Sequence, residues 1–168
     1  MKTNQELSES LENYLEAILD LEKTSKVART KDIAEKLSIK PGSVTGALKV
    51  LGEKGLINYS PYAFITLTPE GKKIAQEIHH RHKTLKYFLH EILQVDDATA
   101  DATACRMEHA IDSESLNKLI CFIHFIQKCP RTGKDWLAHF TEHCRSEGVD
   151  MEKCRRCVAQ LPAKIDKS

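Results

Sequence analysis

The 168-residue chain lacks long apolar runs: nowhere do eighteen or more apolar residues follow one another, so no membrane-spanning helix is expected. The first dozen residues, polar and acidic, lack the basic and apolar blocks of a secretory signal, which makes the cytoplasm the expected location. A Gly-rich phosphate loop, a nucleophile elbow and the strand–helix alternation of an α/β pocket are also missing, so an enzyme is not expected. Nor is the composition that of a disordered chain, with 29% charged and 41% hydrophobic residues. The length suits one domain with a dependent second module.

The net charge of +1 conceals an uneven distribution. Residues 1–22 carry one Lys against six acidic groups, whereas residues 23–54 carry eight basic groups against three acidic ones. A basic block beside an acidic one fits a local phosphate-facing surface, and equally fits ordinary solvated helix faces. Six cysteines are present, which in a cytoplasmic chain points to metal or redox chemistry rather than a disulfide framework.

Apolar spacing predicts a helix over Ser8–Leu21, with Leu11, Tyr14, Leu15, Ile18 and Leu21 on one face and Ser8 or Ser10 as N-cap. A short helix follows over Thr30–Leu37, capped by Thr30, then a turn at Ser38-Ile39-Lys40. Pro41 opens a third helix that buries Val44, Leu48 and Leu51 and ends at Gly55. Leu56–Tyr59 and Phe64–Thr68 read as a β-hairpin. Thr68-Pro69 starts a long helix to about Leu93, followed by helices over Asp97–Ala110 and Ser113–Lys128. In the last of these, Leu116, Leu119, Ile120, Ile123 and Ile126 form a stripe for the core or a subunit interface, which Cys121 is expected to join as a buried thiol. The fold class expected is mostly α: a winged helix-turn-helix over residues 1–72, a helical dimerisation and metal-binding domain over 73–128, and a short Cys-rich tail over 129–168.

Within this order stand Glu12-Asn13-Tyr14-Leu15-Glu16-Ala17-Ile18, Asp32-Ile33-Ala34, Pro41-Gly42-Ser43-Val44-Thr45, Leu67-Thr68-Pro69-Glu70-Gly71, Arg81-His82 and Cys105-Arg106-Met107-Glu108-His109. Together, over residues 8–128, they resemble the diphtheria-toxin-repressor and manganese-transport-regulator family of metal-dependent repressors. The resemblance implies a homodimer on a palindromic double-stranded DNA operator, controlling metal uptake genes, with metal tightening the angle between dimer core and DNA-binding domains.

The DNA-facing candidates are Lys31 and, on the third helix, Lys40, Pro41, Gly42, Ser43, Thr45, Gly46 and Lys49. Ser43 and Thr45 can bond phosphates or base edges, while Lys40 and Lys49 suit phosphates. Arg, Asn and Gln are absent from this helix, so bidentate purine readout is not expected and DNA shape carries much of the specificity. Family wings often place a basic residue and a glycine at the tip, where this chain has Tyr62-Ala63-Phe64.

Cys105, Glu108 and His109, at i, i+3 and i+4, share one helix face and suit a divalent transition metal of intermediate softness. The resemblance adds His82 as a ligand and draws at least one more from Glu12, Asn13 and Glu16 on the first helix. Asn13 takes a position that is Met in iron-type and Asp in manganese-type members; Lys86 replaces a carboxylate, and Asp101 a histidine. The Cys105 thiolate favours Fe(II) over Mn(II). His79 and His80 read as an extension of a polar face, and His90, His124, His139 and His143 as packed or solvated rings. Beyond the resemblance, Cys129, Cys144, Cys154 and Cys157 end in a Cys-x2-Cys chelate suited to zinc or an iron–sulfur cluster. That tail supplies the alternative function, a winged-helix regulator sensing redox state or cluster supply.

Overall fold

A computed structural model describes residues 7–25, 27–60, 63–128, 140–144, 152 and 155. Its elements are α1 (Glu9–Ser25), α2 (Thr30–Lys36), α3 (Pro41–Glu53), β1 (Ile57–Asn58), β2 (Thr66–Leu67), α4 (Pro69–Tyr87), α5 (Asp97–Met107) and α6 (Ser113–Lys128). A π-helical turn, Phe88–Ile92, extends α4. This is the mostly helical, winged helix-turn-helix architecture that the order of predicted elements implied.

The helices start and stop for identifiable reasons. Ser8 precedes α1, its carbonyl accepting from the amides of Leu11 and Glu12. Thr30 does not cap α2, as expected from its side chain; it is the first helical residue, and Arg29 takes the cap position without a side-chain bond. Ser38, at φ 55°, reverses the chain between α2 and α3. Gly55, at φ 72°, stops α3, and the Leu56 amide bonds back to the Leu51 carbonyl. Thr68 caps α4 by accepting from the Gly71 amide at 3.1 Å while its hydroxyl donates to the Gly55 carbonyl at 2.8 Å. Asp96 and Asp112 cap α5 and α6 in the same manner. α5 ends three residues before the expected Ala110, with Glu108 as its C-cap.

The wing is shorter in strand than its β-prone sequence suggests. Ile57 pairs with Leu67 and Asn58 with Thr66, and a bridge between Ala28 and Ile65 adds the α1–α2 connection as a third edge. Glu22 of α1 accepts from the Leu67 amide at 2.7 Å, tying the wing to the first helix.

Two apolar clusters organise the described residues. Leu15, Ile18, Ile33, Val44, Leu48, Leu51 and Ile65, all fully buried, hold α1, α2, α3 and the wing together. Leu85, Leu89, Ala100 and Ala104 join the end of α4 and the π-helical turn to α5. α4 contributes to both, Ala75 to the first and Leu85 to the second. On α6, Leu116, Ile123 and Ile126 are buried, but Cys121 is exposed, contrary to its expected place in the stripe. It lies two residues from Ile123 and five from Leu116, spacings that turn it away from their face of the helix.

Candidate metal centre

The site forms where α1, α4 and α5 meet. α1 presents Glu12, Asn13 and Glu16 beside its buried Tyr14, Leu15, Ala17 and Ile18. α4 presents His79 and His82, one turn apart, and α5 ends in Cys105, Glu108 and His109. Helical spacing thus carries seven predicted residues from three segments, nearly 100 positions apart, into one place.

Glu108 lies at the centre. It is a fully buried carboxylate, and its Oε2 accepts from His82 Nδ1 at 2.7 Å. Its Oε1 has no hydrogen-bond partner among the described residues; His109 Nε2 is 3.3 Å away but is not aligned for a bond. A buried carboxylate oxygen in that state is costly unless a cation compensates it. Two sets of ligand atoms surround it, each mutually within 4.8 Å: Cys105, Glu108 and His109, and Glu16, His82 and Glu108. Glu108 belongs to both.

The remaining predicted residues complete this shell. His109 donates from Nδ1 to Glu12 Oε2 at 2.6 Å, and its Nε2 is 3.0 Å from Asn13 Oδ1. His82 Nε2 faces Asp101 Oδ1 at 3.4 Å. Lys86, in place of a carboxylate, bonds Asp101 at 2.9 Å and Asp97 at 3.0 Å.

The electrostatics favour a cation. Burial, followed by the Glu108 charge, pushes the Cys105 thiol up. Burial and Glu108 likewise raise the Glu16 carboxyl, against the bond from His79. His82 is held more basic than usual by its bond to Glu108, against desolvation. All three shifts make these groups bind protons more tightly than usual, and a divalent ion would compete with protons for the same lone pairs. The donor set of sulfur, nitrogen and oxygen and the orphaned Glu108 oxygen fit such an ion.

Sequence reasoning missed His79. Rather than extending a polar face, its Nδ1 lies 3.3 Å from Glu16 Oε1 and its Nε2 3.2 Å from Lys23 Nζ. Its i, i+3 spacing to His82 was the available signal. His90 keeps a partly solvated ring, whose Nδ1 lies 2.9 Å from the Val95 carbonyl. Cys144 is exposed, while Cys129, Cys154, Cys157 and His139 lie outside the described residues.

The other candidate surface is α3. Lys40, Pro41, Gly42, Ser43, Thr45, Gly46 and Lys49 are all exposed, away from the buried Val44, Leu48 and Leu51, and Lys31 is exposed on α2. The Tyr14 hydroxyl, on the residue after Asn13, reaches the Ser43 carbonyl at 3.5 Å. Near the wing tip, the Arg29 guanidinium lies 5.2 Å over the Phe64 ring, a basic group that the tip's own sequence does not reveal; Pro61 and Tyr62 lie outside the described residues.

Comparison with known proteins shows the family. Residues 6–64 match the family model of the iron dependent repressor, N-terminal DNA binding domain. Residues 68–137 match the iron dependent repressor, metal binding and dimerisation domain. An uncharacterised HTH-type transcriptional regulator of Methanocaldococcus jannaschii is 42% identical over 70% of this chain and 94% of its own. The HTH-type transcriptional regulator MntR of Lysinibacillus sphaericus is 31% identical over 80% of this chain and 96% of its own. Among solved structures, the manganese regulator SloR superposes with a TM-score of 0.62 at 26% identity, covering 72% of this chain; the chain spans 56% of that structure's length.

Proposed function

The chain belongs to the iron dependent repressor family of metal-dependent transcriptional regulators, and on that premise we propose that a divalent metal at the α1–α4–α5 junction switches it to a DNA-binding form. Cys105, Glu108 and His109 of the α5 end, His82 of α4, and at least one of Glu12, Asn13 and Glu16 of α1 supply the centre. The single observation that carries this reading is Glu108, buried with an orphaned oxygen where the three helices meet. A cation there attracts α1 and α5 at once, and α1 packs against α3. Metal that binds the closed arrangement more tightly than the loose one shifts the population toward it.

The protein acts as a homodimer on a palindromic operator, with Phe122 and Phe125 exposed on α6 in support of a paired helical domain. It controls metal uptake genes as a repressor. Fe(II) is favoured over Mn(II) because a thiolate stands in the ligand set. Selection of random duplexes by the metal-loaded protein tests this: palindromic sequences should be enriched with Fe(II) and not under chelator. Enrichment of nothing, or equal enrichment in both, overturns it.

A second reading rests on the sequence Cys154-x2-Cys157 with Cys129 and Cys144: the tail carries its own zinc or iron–sulfur cluster and senses redox state or cluster supply. Anaerobic purification decides between them, since a colourless protein with one zinc per chain eliminates the cluster.

A further inference from the structure

Both imidazoles at the centre use both ring nitrogens, and each ring stands between Glu108 and an outer carboxylate. One nitrogen faces Glu108: His82 Nδ1 bonds its Oε2 at 2.7 Å, and His109 Nε2 lies 3.3 Å from its Oε1 and 3.0 Å from Asn13 Oδ1. The other faces outward to a carboxylate: His109 Nδ1 to Glu12 at 2.6 Å, and His82 Nε2 to Asp101 at 3.4 Å. Asp101 is itself pinned by the Lys86 ammonium at 2.9 Å, which also holds Asp97 at 3.0 Å.

We infer that Glu12 and Asp101 are positioning residues rather than metal ligands, fixing His109 to bind metal through Nε2 and His82 through Nδ1. This rests on the metal reading above and assigns roles within it. A neutral imidazole carries one N–H, so a ring whose inner nitrogen gives its lone pair to a cation keeps its proton on the outer nitrogen, where the carboxylate accepts it; for His82 the cation would displace the proton that Nδ1 shares with Glu108. Lys86 serves the same end from further out. Its ammonium is a built-in cation that neutralises Asp97 and Asp101, leaving Asp101 as an acceptor for the ring. Glu12 has a second consequence: it lies on α1, so the α5 histidine is oriented only when α1 is in place.

Proton-detected nitrogen NMR of the histidine rings in the full chain, titrated with Zn(II) against a competing chelator, reads tautomer and affinity at these two sites separately. The ring proton should reside on Nδ1 of His109 and on Nε2 of His82 in the loaded protein. Glu12→Ala and Asp101→Ala should each weaken Zn(II) binding at these rings by about 10–100-fold. Glu12→Gln and Asp101→Asn, which keep an acceptor oxygen, should recover most of it. Ring protons on the opposite nitrogens in a wild type that binds Zn(II), or alanine variants that bind as the wild type does, overturn the inference alone. A wild type whose ring signals never respond to Zn(II) overturns the metal reading, and the inference with it.

Discussion

At the scale of single residues, the centre is governed by protons that metal must displace. The Cys105 thiol is raised by burial and by Glu108, and His82 is raised chiefly by Glu108. Both must lose a proton to bind metal, so apparent affinity should rise with pH as each is titrated and fall as the solution is acidified. Calorimetry in buffers of different ionisation enthalpy should detect protons released on binding, and Cys105→Ala should abolish the portion released above neutral pH. Cys105 also sets metal preference: Cys105→Glu, which replaces sulfur with oxygen, should shift the Fe(II) to Mn(II) affinity ratio toward manganese by about tenfold or more. An unchanged ratio in competitive titration would remove the thiolate from the selectivity argument. That Cys105, Glu108 and His109 come together was legible in the sequence because they share one helix face. The asymmetry among them was not, because which nitrogen of a ring faces inward depends on neighbours such as Glu12, 97 residues away.

At the scale of elements, the helix ends decide how the wing and α4 meet. Gly71 is buried in the first turn of α4, and a Cβ there would run into the Leu56 carbonyl. Gly71→Ala should cost about 3 kcal/mol, read by chemical denaturation, since the obstacle is backbone and cannot rotate away. α1 and α2 are tied by Asp20, which lies 3.0 Å from Lys36 and 3.2 Å from Lys23. Desolvation alone would raise its carboxyl, but the bonds to Lys36 and Lys23 prevail and hold it below the usual value. A group depressed in the folded state contributes stability above its unfolded pKa and loses it as pH falls through the folded one. Wild type should therefore lose more stability than Asp20→Asn between about pH 5 and pH 2, a difference that thermal melts across that range would register. Helix order, Pro41, Gly55 and the Thr68 cap were readable from sequence because they are local signals. The Ala28–Ile65 bridge was not, as a single pairing across 37 positions leaves no period, and Cys121, expected to join the apolar stripe, is exposed because its spacing from Leu116 and Ile123 turns it off that face.

At the scale of the whole molecule, one side chain joins the parts. α4 runs through both apolar clusters, while α1, which packs with the recognition helix α3, meets the end of α5 at Glu108, Glu12 and His109. The Glu108 oxygen that finds no hydrogen-bond partner among the described residues is the group through which the proposed cation would draw these elements together. The direct measurement is the affinity of the wild type and of Glu108→Gln for one duplex selected by the metal-loaded protein, in Fe(II) and after chelation. The wild type should bind that duplex about 5–150-fold more tightly with metal, the usual span of an allosteric coupling, and Glu108→Gln should bind it weakly in both conditions. Equal wild-type affinity with and without metal, or a Glu108→Gln variant that responds to metal as the wild type does, would contradict the switch.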